Sequence, residues 1–328
     1  MKNVSFKRKK ESSTIDVRQL PIVKGFQLSR ELKALDVLHA YGTLGFQASN
    51  VAKAAELIRE MQSEGCAIFL SFTSNMVSSG LREIFAQVVK EKLVAAIITS
   101  TGSIEEDFMK SRDTFYVGDF EADDAEVKEN KLNRIGNIFV PDEQYCDLED
   151  FNMRFLEKLY QKNNVIAPSE YIFELGKEIK DENSILYWAS KNNIPIFCPG
   201  FVDGAIGDHI YFFNQNKKEK LVIDTAKDVT KFYDLILQPE KIAGIVLGGG
   251  IAKHHLIGAA ILRDGLDYAV YVSTGTQYDG SLSGALPKEA VSWNKLKDKR
   301  KSVHVEADVT LVFPLLALSM MENKKEVR

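Results

Sequence analysis

The chain alternates short apolar runs with helical patterns. The six runs are residues 66–72, 94–100, 194–199, 242–247, 268–273 and 303–305. They are almost continuously apolar, which is typical of strands buried on both faces of a parallel sheet. Most are followed by a short loop of Gly, Ser, Thr or Asp and then by a helical pattern. This order predicts a doubly wound, mainly parallel, Rossmann-like α/β sheet with helices on both faces.

Composition indicates where the folded part begins and ends. Residues 1–18 are basic and Ser-rich, so we expect a flexible N-terminal segment there, and we expect residues 323–328 to form a C-terminal tail. No linker, repeat or change of composition interrupts residues 19–322. The sequence therefore predicts a single α/β domain over that range.

Charge and cysteine content argue against several classes of protein. A formal net charge of -4 gives no electrostatic reason to expect a nucleic-acid partner. Cys66, Cys146 and Cys198 are widely spaced, which argues against a disulfide framework or a zinc site and favours the cytoplasm. The basic N-terminus lacks the apolar run of a signal peptide, and residues 309–321 are too few to span a bilayer. We expect no attachment to a membrane.

Small and acidic residues follow the predicted strands, where ligands bind in such folds. They are Ser74, Asn75, Thr101, Gly102, Glu105, Glu106, Asp203, Asp208, Gly248, Gly249, Gly250, Thr274, Gly275, Asp279, Glu306 and Asp308. The carboxyl ends of parallel strands meet at one edge of the sheet. The sequence thus predicts a ligand site at that edge.

Three consecutive glycines, residues 248–250, follow one buried run. They would let the backbone approach a phosphate closely and expose the N–H groups at a helix start. The spacing is not GxGxxG, and triple glycines also form plain strand-to-helix turns. Both interpretations stay open from the residues alone.

Carboxylates are concentrated in two of these loops. They are Glu105, Glu106, Asp107, Asp203 and Asp208. Clustered carboxylates raise one another's pKa unless a cation joins them. The spacing lacks the His or carbonyl pattern of a divalent metal site, which favours an organic polycation. The alternative is that the acids cap helix N-termini, which suits Glu105 and Glu106 better than Asp208.

Lys295 is a candidate nucleophile. A neutral lysine attacks imines and carbonyls, and desolvation against an aromatic ring such as that of Trp293 favours the neutral form. The alternative is that Lys295 belongs, with Lys297, Lys299 and Lys301, to a solvated basic face.

Several blocks of sequence together resemble those of the deoxyhypusine synthase family. The blocks are GTLGFQASN (42–50), TSNMVSSG (73–80), EED (105–107), NRIGN (133–137), VDGAIGD (202–208), LGGGIAKHH (247–255), DYAVYVSTGTQYDGSLSGA (267–285), EAVSW (289–293) before Asn294 and Lys295, and ADVTLVFPLL (307–316). The resemblance covers residues 23–318. It implies a homotetramer with active sites between paired subunits, NAD, and spermidine as aminobutyl donor. It also implies transfer through an enzyme-lysine imine to one lysine of the translation initiation factor 5A precursor, without a metal.

The resemblance also implies a role for individual residues. Lys295 matches the catalytic nucleophile and His254 the residue placed for proton transfer; the residues alone give His254 no special role. The residues that match cofactor-binding positions are Ser74, Asn75, Ser78, Ser100, Thr101, Gly102, Glu106, Asp203, Gly249, Thr274, Gly275, Asp308 and Val309. The residues that match polyamine-binding positions are Glu105, Glu106, Asp208, His254, Gly280, Ser281, Glu289 and Trp293.

Four positions depart from the family pattern. Leu282 replaces an aspartate that grips the polyamine in eukaryotic relatives, and Gly258 replaces an asparagine; Asn294 and Val309 replace a glycine and an alanine. Three alternatives stay open, and the loss of the acid at Leu282 is compatible with the first. One is aminobutyl transfer to putrescine, as in homospermidine synthases, and another is a non-catalytic NAD-binding paralogue. The third is an ordinary NAD-dependent dehydrogenase, which shares the fold but would release NADH.

Overall fold

The computed structural model describes residues 17–215 and 217–322. The expected N-terminal segment, residues 1–18, lies almost entirely outside these ranges, and the expected tail, residues 323–328, lies wholly outside them. Val17–Gln19 form one turn of 3-10 helix. The single-domain assignment for residues 19–322 stays a prediction.

Each of the six apolar runs overlaps one strand of a single parallel sheet. Numbered along the chain, the strands of the protein are β1 (Ala67–Phe72), β2 (Ala96–Ile98), β3 (Tyr116–Val117), β4 (Leu132–Ile135), β5 (Ile138–Pro141), β6 (Val165–Ile166), β7 (Ile196–Phe197), β8 (Val222–Ile223), β9 (Ile242–Leu247), β10 (Tyr268–Ser273) and β11 (Ser302–Glu306). The main sheet has the order β11-β10-β9-β1-β2-β7, and every neighbouring pair in it is parallel. The predicted sheet is therefore confirmed.

Helices connect the strands. They are α1 (Ala34–Ala40), α2 (Gln47–Ser63), α3 (Arg82–Lys90), α4 (Thr101–Lys110), α5 (Asp124–Glu129), α6 (Asp142–Lys162), α7 (Pro168–Glu178), α8 (Ile185–Asn192), α9 (Ala205–Gln215), α10 (Thr225–Leu237), α11 (Gly250–Ala259), α12 (Pro287–Ser292) and α13 (Val309–Glu322). The polar loop and helical pattern after β2 become α4, and the glycine-rich pattern after β9 becomes α11. No helix in the described ranges combines the length and hydropathy that a bilayer crossing requires.

Both faces of the main sheet are covered. Leu70 and Ile97 point into one buried apolar cluster, whereas their chain neighbours Phe69 and Ile98 point into a second cluster on the opposite face. Successive side chains of a strand point to opposite faces, so strands buried on both sides need apolar residues at every position. The doubly wound arrangement with helices on both faces is thereby confirmed.

Two small sheets were not predicted. β3, β5 and β4 form an antiparallel three-stranded sheet, and β6 pairs with β8 in parallel. Their strands have only two to four residues, and several are partly exposed, so they lack a continuous apolar signal. The turn between β4 and β5 contains Gly136 at φ 62°.

The strand order places a topological switch point between β1 and β9. From β1 the sheet continues through β2 to β7 on one side, and from β9 it continues through β10 to β11 on the other. Connections that diverge from two adjacent strands leave a crevice beyond their carboxyl ends, where ligands of doubly wound proteins bind.

Candidate functional site

A cleft of about 700 Å³ opens at this switch point. Residues after β1, β9, β10 and β11 line it, together with the turn of the small antiparallel sheet. The lining residues are Thr73, Asn75, Met76, Ser79, Phe120, Ile135, Gly136, Asn137, Ile138, Gly248, Gly249, Gly250, Ser273, Thr274, Gly275, Ser283, Ala307, Asp308, Val309 and Thr310. Six of the residues predicted to bind NAD lie there: Asn75, Gly249, Thr274, Gly275, Asp308 and Val309.

The glycines after β9 are needed for conformation and for space. Gly248 and Gly250 have φ of 81° and 64°, which side-chain-bearing residues rarely adopt. A Cβ on Gly249 would collide with Ser283. α11 begins at Gly250, so its N-terminal N–H groups lie at the cleft, as an anion site requires. The turn and anion-site interpretations are compatible here.

A second group of predicted NAD-binding residues joins the loops after β1, β2 and β7. The backbone N–H of Ser74 donates to Oγ of Ser100 at 3.1 Å, and Oγ1 of Thr101 donates to the carbonyl of Gly200 at 2.8 Å. A Cβ on Gly102 would lie 2.9 Å from Cβ of Ser74. These residues do not line the cleft; they hold together the loops beside it.

Glu106 on α4 is a buried carboxyl in the same region. Oγ of Ser78 donates a hydrogen bond to its Oε2 at 2.7 Å. Burial raises the pKa of Glu106 to about 8, and repulsion from Glu105 adds to the rise, while the hydrogen bond opposes it. At neutral pH this carboxyl therefore holds a proton in much of the population.

Glu105 reaches across to the loop after β7. Its Oε1 accepts a hydrogen bond from the backbone N–H of Ile206 at 2.7 Å, and a Cβ on Gly204 would lie 2.8 Å from that oxygen. Burial raises the pKa of Glu105 to about 7, and repulsion from Asp208 and Asp203 contributes. The two acidic loops predicted to share an edge are thus in contact. Glu105 also caps a helix, as the alternative interpretation of these acids expects. The helix that it caps is α9, whereas Glu105 itself belongs to α4.

The third acid of the block does not belong to the candidate amine site. Oδ1 of Asp107 accepts from Nε of Arg82 at 2.6 Å, and its Oδ2 accepts from Oγ of Ser184 and from the N–H of Leu186 at 2.7 and 2.9 Å. Asp107 is fully buried. Asp107 therefore neutralises the buried Arg82 and accepts a hydrogen bond from the first turn of α8. The prediction that Asp107 is one of the polycation-binding acids is wrong.

Lys295 lines a cavity of about 30 Å³ between α11 and α12, separate from the cleft. Its half-buried side chain places Nζ 5.3 Å from the centroid of the Trp293 ring, and Glu289 lines the same cavity. Trp293 is 62% exposed, so the dry environment expected for Lys295 is not supplied by one chain alone.

His254, Gly280 and Ser281 are exposed. His254 lies on α11, where Cε1 of its ring would be 3.9 Å from a Cβ on Gly258. The N–H of Ser281 donates to Oδ1 of Asp279 at 2.7 Å, within the turn that follows β10. The chain therefore distributes the predicted site residues over three places: the cleft, the acidic region of α4, and the surroundings of Lys295.

Sequence reasoning missed two parts of the site. The turn residues from Ile135 to Ile138, with Phe120, line the cleft, although the block that contains most of them was noted without a role. Lys253 is almost fully buried beside the Lys295 cavity. A signal for it existed, since the other residues of its helix, apart from His254 and His255, are apolar or glycine. No group of three or more His, Cys, Asp or Glu within residues 17–215 and 217–322 is arranged to hold a metal ion.

The fold and the cleft define an α/β protein with a candidate ligand site at the switch point of a parallel sheet. Comparison with known proteins makes this specific. The deoxyhypusine synthase family model matches residues 36–320. A probable deoxyhypusine synthase of Pyrococcus abyssi is 44% identical over 309 residues, which cover 89% of this chain and 92% of that protein. One from Methanocaldococcus jannaschii is 43% identical, with coverages of 92% and 96%.

The crystal structure of an Entamoeba histolytica protein assigned as a deoxyhypusine synthase has a similar fold. The TM-score is 0.65 at 26% identity, over 92% of this chain and 97% of that one. The chain belongs to the deoxyhypusine synthase family. It is accordingly an enzyme of transferase type.

Proposed function

We propose that this protein is a deoxyhypusine synthase that transfers the 4-aminobutyl group of spermidine to a lysine of the translation initiation factor 5A precursor. The observation that carries the proposal is the pair of buried carboxyls, Glu105 and Glu106, beside a cleft at the switch point. A polyamine would add positive charge beside these two carboxyls, and a dinucleotide suits the cleft.

The cleft fits NAD in both volume and chemistry. Gly249 and the start of α11 would face its phosphates, and Asn75, Thr274 and Asp308 offer polar groups along the cleft. The cofactor, when bound, supplies hydride transfer from and back to the amine. Ser78, Thr101 and Gly102 would act mainly by fixing the loops that form its walls.

Glu105, Glu106, Asp208 and Glu289 would bind the ammonium groups of the donor. The first two have raised pKa values because they are buried, so an arriving cation would favour their ionised forms. The shape of the donor site would come from these acids and from the flat ring of Trp293.

Lys295 would carry the aminobutyl group. In its uncharged form, Nζ would attack the imine carbon of the oxidised donor, form a new C=N bond and release diaminopropane. The acceptor lysine would then displace Lys295 in the same manner, and reduction would leave a stable secondary amine. His254 would accept and return the proton at a ring nitrogen during these exchanges.

A homotetramer with active sites between subunits would account for the separation of Lys295 from the cleft. One copy would supply the cleft and the acids, and another would cover the exposed Trp293 and bring Lys295 to them. Large exposed apolar side chains support association: Phe46 is 97% exposed, and Ile22, Val23 and Leu28 are also exposed. We further propose that residues 19–322 form one domain and that the enzyme acts in the cytoplasm.

The second candidate, transfer to putrescine, is favoured by one observation. Leu282 lines the Lys295 cavity where an aspartate would add a cation-binding group. An apolar wall there could change which amine is accepted.

Purified protein with NAD and labelled spermidine separates the candidates. Release of diaminopropane and label on the factor 5A precursor support the proposal. Label on putrescine in place of the precursor supports the second candidate. Net NADH without transfer indicates a dehydrogenase, and NAD binding without turnover indicates a non-catalytic paralogue.

A further inference from the structure

Lys253, which the proposed reaction does not use, is buried in α11. It is 1% exposed, and its Nζ lies 4.5 Å from the centroid of the Tyr271 ring. Nζ donates hydrogen bonds to the carbonyl oxygens of Leu282 at 2.7 Å and of Ala285 at 2.8 Å. Burial of an ammonium group is unfavourable unless such partners compensate it. An apolar residue would fill this position at lower cost, so the charged group requires an explanation.

The segment that Lys253 binds separates two cavities. Ser283 lines the cleft and lies directly against Gly249, whereas Leu282, Ala285 and Leu286 line the Lys295 cavity. One short stretch of backbone, residues 282–286, is therefore a wall of both. We call it the shared wall.

The backbone of the shared wall packs closely against Gly249, Gly275 and Thr276, but two hydrogen bonds that the wall donates are long. The N–H groups of Gly284 and Ala285 donate to the carbonyls of Ser281 and Leu282 at 3.2 and 3.3 Å, at the long end of the hydrogen-bond range. The two bonds from Lys253 are shorter and are donated by a cationic group, which makes them stronger.

Several charged groups face Lys253 from neighbouring elements. Burial lowers the pKa of Lys253 to about 8; the carboxylate of Glu289 on α12 opposes this, and the charge of Lys295 adds to it. On β11, burial and then the charge of Lys253 lower the pKa of His304. At neutral pH most molecules keep the Lys253 charge, which strengthens both donated hydrogen bonds.

We propose that Lys253 is a positioning residue that holds the shared wall, so that dinucleotide affinity in the cleft and access to Lys295 in the second cavity are set together. The identity of the dinucleotide rests on the proposed function. The tethering of residues 282–286 by Lys253 does not depend on that function.

Three variants and one control test the proposal. Lys253→Met keeps the length and apolar stem but removes the donor, Lys253→Arg keeps a charged donor, and Lys253→Gln keeps a neutral one. The control is Lys191→Met, because Lys191 also lies over a tyrosine ring, 5.1 Å from the centroid of Tyr187, but at the surface.

Three measurements are made on the full chain. They are hydrogen–deuterium exchange of a peptide spanning residues 281–287 without ligand, the Kd for NAD by calorimetry, and the rate at which limiting acetic anhydride labels Lys295. For Lys253→Met we expect the exchange rate of the peptide and the Kd for NAD to increase at least fivefold. The rate at which Lys295 is labelled should change at least threefold. Lys253→Arg should stay within twofold of the wild type in all three, and so should the control.

A folded Lys253→Met protein with unchanged exchange overturns the proposal. Faster exchange with unchanged NAD affinity and unchanged labelling overturns it as well, because the wall would then not be shared. If Lys253→Met fails to fold, Lys253→Gln is measured, with a smaller change in the same direction expected. If the wild type does not bind NAD, the proposed function fails, and exchange and labelling alone decide on Lys253.

Discussion

The backbone N–H of Ile206 donates a hydrogen bond of 2.7 Å to the carboxyl of Glu105. This bond joins the start of α9 to α4, and it brings Asp203 and Asp208 near enough to raise the pKa of Glu105. One side chain thus fixes the loop after β7 and belongs to the proposed amine site. Because Glu105 and its neighbour Glu106 have raised pKa values, the stability of the protein and its binding of amines should depend on pH.

Replacement of Glu106 by glutamine should stabilise the fold, and increasingly so at higher pH. The pKa of Glu106 rises from an ordinary 4.5 to about 8 on folding, so the folded protein keeps a proton that the unfolded chain has released. Stability is therefore lost as pH rises between these two values, at roughly 1.4 kcal/mol per pH unit for a single group. Urea unfolding of both proteins should show a difference of roughly 2–4 kcal/mol at pH 8 and a smaller one at pH 5. A constant difference would contradict the assigned protonation.

Binding of spermidine to the enzyme loaded with NADH, which cannot oxidise the amine, should release protons at pH 7. Glu105 and Glu106 have pKa values of about 7 and about 8 in the free protein, and a bound polycation would lower both. Calorimetry in buffers of different ionisation enthalpy should give a release on the order of one proton at pH 7 and no net release at pH 9.5, where both carboxyls have already ionised. A binding enthalpy that is independent of the buffer at pH 7 would exclude these carboxyls as the amine ligands.

Lys295→Ala should abolish aminobutyl transfer and leave the Kd for NAD within about threefold of the wild type, because Lys295 lies outside the cleft. Transfer is measured with labelled spermidine, and NAD affinity by calorimetry. Lys297→Ala is the matched control; Lys297 forms an ion pair with Asp267 and lines neither cavity, so it should retain transfer. Wild-type transfer rates in Lys295→Ala would show that the nucleophile is misassigned.

Asp107→Ala should destabilise the protein by roughly 3–5 kcal/mol, since it leaves the buried Arg82 without its closest carboxylate and the N–H of Leu186 in the first turn of α8 without its acceptor. The free energy of unfolding in urea measures the loss. Glu182→Ala, which breaks an ion pair between the exposed side chains of Glu182 and Lys90, should leave the unfolding midpoint nearly unchanged. Equal effects of the two substitutions would indicate that Asp107 has no structural role.

Gly249→Ala should weaken NAD binding at least tenfold, because the added Cβ collides with Ser283 and displaces one side of the cleft. Gly45→Ala is the control, since a Cβ there meets nothing within 4 Å. Calorimetric titration with NAD gives both affinities. Tight binding by Gly249→Ala would mean that the cleft tolerates movement of Ser283.

The sequence predicted the parts of the fold that depend on local hydrophobic patterns. The runs around Leu70, Ile97, Ile245 and Val270 are apolar because both faces of their strands are buried, and that signal is present in any window of the chain. The strands β3 to β6 and β8 are short and partly exposed. Their pairing depends on tertiary context, so the sequence alone gave no indication of them.

Residue type predicted the region of the site but not the function of each side chain. Glu105, Glu106 and Asp107 are consecutive, yet only the structure separates the acid paired with Arg82 from those beside the candidate amine site. The burial of Lys253 depends on carbonyl groups about 30 residues away along the chain, a separation that periodicity does not report. The exposure of Trp293 is likewise visible only in the structure.

The three neighbouring acids of α4 also constrain how this enzyme can diverge. If Glu105 and Glu106 bind the amine as proposed, a shift or rotation of α4 that accommodates a different amine would also move Asp107 away from Arg82 and Ser184. Changes of donor preference are therefore expected to arise at positions that are not coupled to folding in this way, such as Leu282 and Gly258. Natural variation in amine choice should accumulate around the lysine cavity, while α4 stays nearly invariant.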